Sequence, residues 1–383
     1  MMKNFNIVSL FLLIYLAGCA PVNDWNVTLV KTDFVIPTID LSQVSEIQHL
    51  VDKEEEQYLG HPTTALLDDG KTLLVTYPKG HGRGAIVYKK SFDAGASWTE
   101  RLPTPTSWET SLEVPTLYRF KTTSGTMRTF LFSGLYPIRL SISDDDGETW
   151  SQLQAIGPFG GIVAMASMVQ LDNGSLVAFF HDDGRFLNAE GKAGTFTVFK
   201  TTSMDDGESW SMPEVVVRHE IMDLCEPGSV WSPNGKELAL LLRENSRTAP
   251  SQIIFSSDQT ATWSEPISLP AELTGDRHTA KYLDDRRLIV VFRDMAENSP
   301  TKGDWVAWIG EYSDLKEGKA GQYRIRIMDN SNSWDSTYPG VEVLPNGNVV
   351  TTTYGHWEEG QEPYIVSVQL DMEQIDRWFQ KLN

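Results

Sequence analysis

The sequence has few cysteines and few basic residues, and each shortage excludes a class of protein. Cys19 and Cys225 are the only cysteines among 383 residues. Cys19 belongs to an N-terminal targeting segment, so no intramolecular disulfide is available to the mature fold. The 32 basic residues stand against 52 acidic ones, and the net charge of −20 argues against nucleic acid as a partner.

Motifs for common cofactors are also missing. Residues 80–84 read GHGRG, which has the wrong spacing and context for a phosphate-binding loop. No group of His and Cys residues has zinc spacing. The acidic run at 144–146 lacks the further ligands of a calcium loop. The sequence therefore predicts no cofactor and no metal.

Long apolar runs are scarce as well, and the one at the N-terminus predicts targeting. Lys3 is followed by an apolar stretch from Phe5 to Leu16, which is too short to span a membrane and fits a signal peptide. Residues 16–19 read LAGC and resemble a bacterial lipobox, with Cys19 as the lipidated residue. We expect a signal peptide at 1–18, a lipidated tether at 19–25 and an outer-membrane-anchored lipoprotein of the bacterial envelope, facing the periplasm or the cell surface. An ordinary signal peptide with an incidental cysteine is the alternative.

One motif recurs four times and organises the rest of the chain. Asp and Gly supply a turn, the hydroxyls satisfy nearby backbone groups, and Trp offers a large apolar body to bury between units. A motif repeated in this way belongs to the scaffold rather than to a site. Its spacing of 52 to 60 residues indicates a propeller or a solenoid. The copies are SFDAGASW at 91–98, SDDDGETW at 143–150, SMDDGESW at 203–210 and SSDQTATW at 256–263, where Thr260 replaces Gly.

A second repeat gives the number of units. Six turns, 49 to 61 residues apart, are each bordered by apolar strands. Six units of about 55 residues predict an all-β fold, a six-bladed β-propeller of four-stranded antiparallel blades over 26–383. A solenoid would need shorter and more uniform repeats. We expect residues 26–31 to close the ring, residues 365–370 to form the last strand, residues 371–382 to form a helix, and the protein to be a monomer. The turns lie at 69–70, 124–125, 173–174, 234–235, 285–286 and 346–347.

Chemically active side chains recur at one offset from these turns. His61, Glu226, Arg277 and Tyr338 lie nine residues before the turn position in units one, four, five and six. Unit two has Thr116 there, with Glu113 nearby, and unit three has Met165. The second strands end in Tyr77, His181, Arg243, Arg293 and Tyr354, and His181 is followed by Asp182, Asp183 and Arg185. Since equivalent positions lie on one face of a propeller, we expect these groups to converge on one concave site.

With four such boxes on six blades, the chain resembles the sialidase (neuraminidase) superfamily over nearly its whole mature length. The stretch TYPGVEVLPNGNVVTTTY carries Tyr338 at the place of the family's nucleophile, and LCEPGSVWSPNGKELALLLR carries Glu226 at the place of its partner. Arg243 stands where one arginine of the family's carboxylate-binding triad stands. Arg293, with Arg277 close behind, is the candidate for the third.

Two parts of the family pattern are replaced. LGHPT, with His61, stands where the family has its first arginine, and the loop YPKGHGRGAIVY has His81 and Arg83 but no acid/base Asp. His81 is the first candidate for the general acid, and Asp182 or Asp183 is the second. Arg243, Arg277 and Arg293, together with His61, Arg83 and Arg185, are the candidates for binding substrate.

The resemblance implies an exo-acting glycoside hydrolase that releases a terminal acidic sugar. A Tyr nucleophile suits a sugar with a carboxylate beside the anomeric carbon, because a neutral attacker avoids like-charge repulsion; such enzymes are exceptions to the two-carboxylate glycosidases. A lyase acting on uronate-containing glycans is an alternative, since His61, His81, Tyr338 and the arginines supply a base and a counter-charge. A non-catalytic glycan-binding propeller is the third. In each case the partner is a glycan.

Overall fold

Short apolar runs between the six turns fold into six sheets, which are the blades of a propeller. The computed structural model describes residue 25, residues 27–187, residue 194 and residues 196–382. The predicted signal peptide and Cys19 lie outside the described residues. No helix within the described part of the chain is long and apolar enough to cross a membrane.

The strands and helices follow the predicted order. The predicted terminal helix and last strand are confirmed. In chain order the strands are β1 Thr28–Val30, β2 Thr38–Asp40, β3 Gln48–Asp52, β4 Thr63–Leu66, β5 Leu73–Pro78, β6 Ile86–Ser91, β7 Thr116–Lys121, β8 Met127–Ser133, β9 Arg139–Ser143, β10 Gln154–Ala155, β11 Ile162–Gln170, β12 Leu176–Asp182, β13 Thr197–Ser203, β14 Glu214–Arg218, β15 Leu224–Trp231, β16 Leu238–Glu244, β17 Gln252–Ser256, β18 Ile267–Ser268, β19 Gly275–Tyr282, β20 Leu288–Asp294, β21 Trp305–Gly310, β22 Tyr323–Met328, β23 Gly340–Val343, β24 Val349–Gly355 and β25 Tyr364–Leu370, with helices α1 Tyr312–Glu317 and α2 Met372–Leu382 and 3₁₀ turns at Ser45–Ile47, Thr106–Thr110 and Ala271–Leu273.

Each blade is an antiparallel meander, so the predicted fold class is confirmed. Blades 2, 3 and 4 are β7–β10, β11–β14 and β15–β18. Blade 5 is β19–β22, and blade 6 is β23–β25 with β3. Blade 1 is β4–β6, and residues 99–102 run along its outer edge, where the backbone N–H groups of Thr99 and Leu102 donate to β6 over 2.9 Å each.

The ring is closed by β3, so the prediction that residues 26–31 close it is wrong. β3 pairs antiparallel with β25, with Asp52 opposite Ile365 and His49 opposite Ser367. β1 instead pairs with β2, and β2 lies parallel to β22 at the outer edge of blade 5. The 3₁₀ turn at Ser45–Ile47 then directs the chain to blade 6. An open edge was available on each of two blades; β2 pairs at the edge of blade 5 and β3 at the edge of blade 6.

The second strand of each blade is the centre of the core. β5, β12, β20 and β24 are buried along their whole length. Because neighbouring blades cover both faces of a blade, these strands are continuous apolar or β-branched runs without the alternation of a half-exposed strand. This is why they could be located from sequence to within about two residues.

Each Asp box forms the corner between the third and fourth strands of a blade, and its Trp packs on the preceding blade, as predicted. The Asp carboxylate accepts the Ser/Thr hydroxyl and N–H four residues later; in the third box the N–H of Ser209 lies 2.9 Å from Asp205. The Trp contacts tie blade to blade. The ring-centre distances are 5.8 Å for Trp150–Tyr88, 5.5 Å for Trp210–Phe132 and 5.8 Å for Trp263–Phe179, and Trp98 Nε1 donates to Ser367 Oγ over 3.1 Å.

Candidate active site

Several innermost strands begin with a residue in the left-handed backbone region. φ is 56° at His61, 50° at Glu226, 56° at Arg277 and 54° at Thr337, which precedes Tyr338. The strand ladders of blades 4 and 5 shift register at these points. Such bulges re-aim side chains, and left-handed backbone at residues other than glycine gathers at functional sites. At His61, Glu226 and Arg277, equal spacing from the turns thus corresponds to equivalent backbone positions, whereas in blade 6 the left-handed residue lies one position before Tyr338.

A cavity of about 940 Å³ opens over these strand starts. Residues from blades 1, 2, 3, 4 and 6 line it, so it lies at the centre of one face of the ring. Among the side chains predicted for the site, Arg277, Arg293 and Asp182 do not line this cavity. The predicted side chains that do are His61, His81, Arg83, His181, Asp183, Arg185, Glu226, Arg243 and Tyr338.

Tyr338 and Glu226 form a hydrogen-bonded pair in the cavity wall. The Tyr338 hydroxyl donates to Glu226 Oε1, and Arg243 Nη1 donates to the same oxygen over 2.9 Å. Burial and the charge of Glu226 raise the pKa of Tyr338 well above its usual value. Burial disfavours the ionised form of Glu226, but the charge of Arg243, the hydrogen bond from Tyr338 and the nearby His181 together lower the pKa of this carboxyl. The proton therefore rests on Tyr338, beside a carboxylate that can accept it.

Asp276 forms ion pairs with three arginines, one of which is Arg243. Its carboxylate lies 3.2 Å from Arg243 Nε, 2.7 Å from Arg247 Nη2 and 2.5 Å from Arg293 Nη2. Asp276 is fully buried. Burial disfavours its charge, yet Arg293 and Arg243 hold the pKa of Asp276 below its usual value. Because Asp276 fixes Arg243, it also sets the direction from which Arg243 reaches Glu226.

The two remaining predicted triad arginines direct their donors into the protein. Arg293 uses Nε and Nη2 for Asp276 and donates from Nη1 to the Ser336 carbonyl over 2.8 Å. Arg277 donates to the Ala166 carbonyl over 2.6 Å, and its guanidinium lies 5.7 Å from the centre of the Tyr338 ring. Only Arg243 of the three reaches the cavity, and the role of the other two in binding substrate stays a prediction.

Two histidines border the pair from blade 1. The ring centre of His61 lies 4.5 Å from that of Tyr338 and 4.8 Å from that of His81. His61 Nδ1 accepts the Gly82 N–H over 3.2 Å, so the proton is on Nε2, which lies 3.2 Å from the Tyr354 hydroxyl. Burial lowers the pKa of His61 well below its usual value, and the ring is neutral.

His81 lies at the mouth and is held by a carboxylate network. Its Nδ1 lies 2.8 Å from the Tyr58 hydroxyl, which donates to Asp335 over 2.8 Å. Asp335 also accepts from Tyr354 over 3.2 Å and lies 3.1 Å from His356 Nε2. The His81 side chain is 56 % exposed. Its role as general acid stays a prediction.

The end of β12 contributes a structural carboxylate rather than a cavity group. Asp182 is buried, and its Oδ2 accepts three backbone N–H groups, from residues 184, 186 and 187, over 3.0 to 3.1 Å. These bonds shape the loop that presents Arg185 to the cavity. Arg185 pairs with Asp183 over 2.8 Å. His181 is buried behind them, and burial lowers its pKa to about 4.

Glu113 is a cavity residue to which the sequence analysis gave no role. It lies three residues before β7, and its Oε1 accepts the Val114 N–H over 3.0 Å. Burial raises the pKa of Glu113 to about 7. The sequence signal was weak, because Thr116 occupies the expected offset in blade 2 and bonds the Ala164 carbonyl instead of facing the cavity.

The BNR repeat-like domain matches residues 40–350, which is most of the chain. The chain belongs to the BNR repeat-like domain family. The resemblance seen in the Asp boxes is thereby confirmed at the level of family and fold. A comparison with curated proteins finds no match.

Solved structures with the same fold include a protein of unknown function, an α-L-arabinofuranosidase and a sialidase. A protein of unknown function from Dyadobacter fermentans is 16% identical, with a TM-score of 0.65 over 84% of this chain and 97% of that one. An α-L-arabinofuranosidase from Fusarium graminearum is 12% identical, with a TM-score of 0.64 over 85% and 98%. The NanB sialidase of Streptococcus pneumoniae is 12% identical, with a TM-score of 0.60 over 86% and 71%. At these identities the likeness shows the fold.

Proposed function

We propose that the protein is an exo-acting glycoside hydrolase in which Tyr338 is the nucleophile and Glu226 is its base. The hydrogen bond between the Tyr338 hydroxyl and Glu226 in the wall of the cavity carries this proposal. A nucleophile paired with a base, and a base oriented by a third group, is the arrangement that activates weak nucleophiles. Arg243 is that third group, because it donates to the same oxygen of Glu226.

The proposed reaction follows from the resting position of the proton. As the Tyr338 oxygen attacks the anomeric carbon, its proton passes to Glu226 Oε1. The ring packing of His61 and the nearby guanidinium of Arg277 hold Tyr338 in place. The glycosyl group would remain on Tyr338 until water releases it, which predicts retention of the anomeric configuration.

Cations at the mouth favour an acidic terminal sugar. Arg83 and Arg185 line the cavity together with Arg243. Arg83 is exposed and has no ion pair with any described residue, so its guanidinium is available for a carboxylate. Asp276 engages the buried arginines; we therefore assign recognition of an acidic group to Arg83, Arg185 and the outward side of Arg243.

The comparisons support a glycosidase and leave the sugar open. The structures of like fold include a sialidase and an α-L-arabinofuranosidase, which differ in whether the released sugar is acidic. A substrate panel must therefore contain both. We also propose that the activity belongs to the bacterial cell envelope, where the lipobox-like LAGC motif would anchor the chain through Cys19.

The deciding experiment is hydrolysis by the chain from residue 20 onward. The panel would contain fluorogenic sialoside, uronide and α-L-arabinofuranoside, and product anomers would be followed by NMR. We expect Tyr338→Phe to lower kcat/KM by roughly 10³-fold or more, because it removes the attacking oxygen. Tyr364→Phe is the matched control, since its hydroxyl bonds Glu358 away from the cavity, and we expect it to stay within about twofold of wild type.

Two results would contradict the proposal. Full activity of Tyr338→Phe would remove Tyr338 from the chemistry. Ultraviolet absorbance from an unsaturated uronate product would establish the lyase, for which His81, held by Tyr58 and Asp335, would be the base. Trapping a glycosyl group on Tyr338 by mass spectrometry would support the hydrolase directly.

A further inference from the structure

The Tyr338–Glu226 pair leaves one chemical requirement unmet. When the glycosidic bond breaks, the leaving oxygen needs a proton from a positioned acid. Asp182 is engaged by three backbone N–H groups and does not line the cavity. The His81 side chain is more than half exposed at the mouth, and its Nδ1 bonds Tyr58. Asp183 lines the cavity but forms an ion pair with Arg185 over 2.8 Å. The three candidates from sequence are thus held by a loop, by the network at the rim and by an arginine.

Glu113 enters the same cavity from a different blade. It lies at the start of blade 2, which in the ring of six is two blades from blade 4, with Glu226, and two blades from blade 6, with Tyr338. A sugar bound in the cavity would therefore meet Tyr338 and Glu113 from different sides of the ring. Attack on one face of the sugar and departure from the opposite face need two groups placed on different sides.

Contacts within the wall show that Glu113 and Tyr338 belong to one site. A Cβ placed on Gly82 would lie 3.3 Å from Glu113 Oε1. The N–H of Gly82 donates to His61 Nδ1, and the His61 ring packs on Tyr338. Gly82 and His61 alone therefore separate the carboxyl group from the phenol along this wall.

We propose that Glu113 is the general acid that protonates the leaving oxygen and, after departure, the base that accepts a proton from the attacking water. This inference rests on the proposed function. Oε1 accepts the Val114 N–H, and the Val163 N–H also bonds the carboxyl group. Because a carboxyl group has about four lone-pair sites, these two bonds leave a site for the proton. The group touches substrate and is therefore a catalytic residue in the proposed reaction.

The surroundings of Glu113 suit both tasks. Burial raises its pKa to about 7, and the charge of Glu226 adds to this, while the Val114 and Val163 N–H groups and the charge of Arg185 oppose it. The carboxyl group is thus half protonated near neutrality, as an acid that later serves as a base must be. The other titratable and charged groups of the cavity are Lys79, His61, His81 and Arg83 from blade 1, His181 and Asp183 from blade 3, and Arg243 from blade 4.

Protons and electron pairs balance over the two steps. In the first step, the Tyr338 oxygen forms a bond to the anomeric carbon, and the bond from that carbon to the leaving oxygen breaks, with its electron pair going to the leaving oxygen. The leaving oxygen takes the proton of Glu113, and Glu226 takes the proton of Tyr338. In the second, water gives a proton to Glu113 and its oxygen to the anomeric carbon. Tyr338 departs and recovers its proton from Glu226, and the enzyme is restored.

The test compares two leaving groups on one sugar. The sugar that the panel identifies is offered as its 4-methylumbelliferyl glycoside, whose leaving group needs little protonation, and as a disaccharide, whose leaving group needs it fully. For Glu113→Gln we expect a loss in kcat/KM of roughly 10²- to 10⁴-fold on the disaccharide and of less than about tenfold on the aryl glycoside. Wild-type activity on the disaccharide should fall as pH rises through about 7, because Glu113 must be protonated, and this limb should be absent in Glu113→Gln.

Controls separate chemistry from folding. Glu109→Gln makes the same change four residues upstream on an exposed side chain outside the cavity lining and should leave both rates unchanged. Glu113→Asp keeps a carboxyl group and should retain the alkaline limb at reduced rate. Since a raised carboxyl pKa in the folded state costs stability above the unfolded pKa, the melting temperature of Glu113→Gln at pH 8 should not fall below that of wild type.

Four outcomes would overturn the inference. Equal losses on the two substrates would show a structural or binding role, and so would an alkaline limb that survives in Glu113→Gln. Loss of that limb in His81→Gln instead would assign the acid to His81, with Tyr338 still the nucleophile. If wild type cleaves no glycoside while Tyr338→Phe also changes nothing, the proposed function fails, and Glu113 has no leaving oxygen to protonate.

Discussion

The Asp-box corners and the starts of the innermost strands are both repeated features, but only the corners repeat their side chains. In the boxes, Asp93 and Asp205 make the same bonds to a Ser four residues later, over 2.8 to 2.9 Å to the N–H. At the strand starts, His61 and Glu226 share a left-handed backbone and have unlike side chains.

The reason lies in where the partners are. The box Asp bonds the Ser and Ser/Thr of its own motif within four positions, so the turn itself is formed locally, although the Trp of the box contacts the preceding blade. The site residues bond across the ring: the Tyr338–Glu226 bond spans 112 positions, and the Tyr354–His61 contact spans 293. A corner can thus be copied unit by unit, whereas a site needs a different residue from each unit.

Removing the charge of Asp276, which three arginines share, should lower the free energy of unfolding most. Asp276→Asn removes the charge that three arginines share, and losing one member of a buried ion cluster costs about 3–5 kcal/mol. Asp205→Asn, which disturbs one exposed corner, should cost about 1 kcal/mol. Urea unfolding would measure both. A cost for Asp276→Asn no larger than that for Asp205→Asn would contradict the comparison.

Adding a methyl group at the glycine of an Asp-box corner should have an intermediate effect on the free energy of unfolding. Gly207 has φ +91°, and a Cβ there would lie 2.3 Å from Phe130. We expect Gly207→Ala to cost about 2–4 kcal/mol, which combines backbone strain with overpacking. Gly235 has φ +69° with nothing within 4 Å, so Gly235→Ala should show the backbone cost alone, about 1–2 kcal/mol. Equal costs in thermal unfolding would show that packing at the corner is adaptable.

The smallest expected effect is an increase in stability. Thr260 stands where the other boxes have glycine and holds φ +72° in the same corner, which is strained for a β-branched residue. Thr260→Gly relieves this strain, which stabilises the folded state, but it also increases the freedom of the unfolded chain, which destabilises the folded state. Because we expect the relief of strain to be the larger effect, the net result should be a stabilisation of about 0.5 kcal/mol. A rise of the melting temperature by one or two degrees would check it. A decrease would mean that the Thr260 side chain contributes more through burial than its backbone costs.

The sequence predicted the features whose signals are local. The box motif, the six turns and the runs that follow them gave the blade number and the second strands, since each depends on neighbouring residues. The closing strand was mispredicted because the chain has two short N-terminal strands, β1 and β3, and each could pair with β25. Tertiary structure decides that β3 pairs with β25 and that β1 pairs with β2.

The site shows the same division. Tyr338 and Glu226 could be singled out by a shared offset and by resemblance, and the structure brings them together. Asp276 and Glu113 could not, because their importance depends on which distant donors face them. Asp276 directly precedes Arg277, and it is Arg277 that lies nine residues before the turn position. Glu113 lies three residues before β7, outside the strand.

Closure through β3 and β25 has a consequence for the order in which the molecule becomes complete. Blade 6 combines a strand from the beginning of the chain with three from its end, and Tyr338 stands at its inner edge. A ribosome that has made five blades has already released Glu226 and Glu113, but not the phenol that Glu226 is to hold. The pair that we propose to do the chemistry therefore forms only when the last blade is synthesised and sealed. In the proposed reaction an interrupted chain would be inactive, and loss of the seam in the finished protein would separate Tyr338 from Glu226.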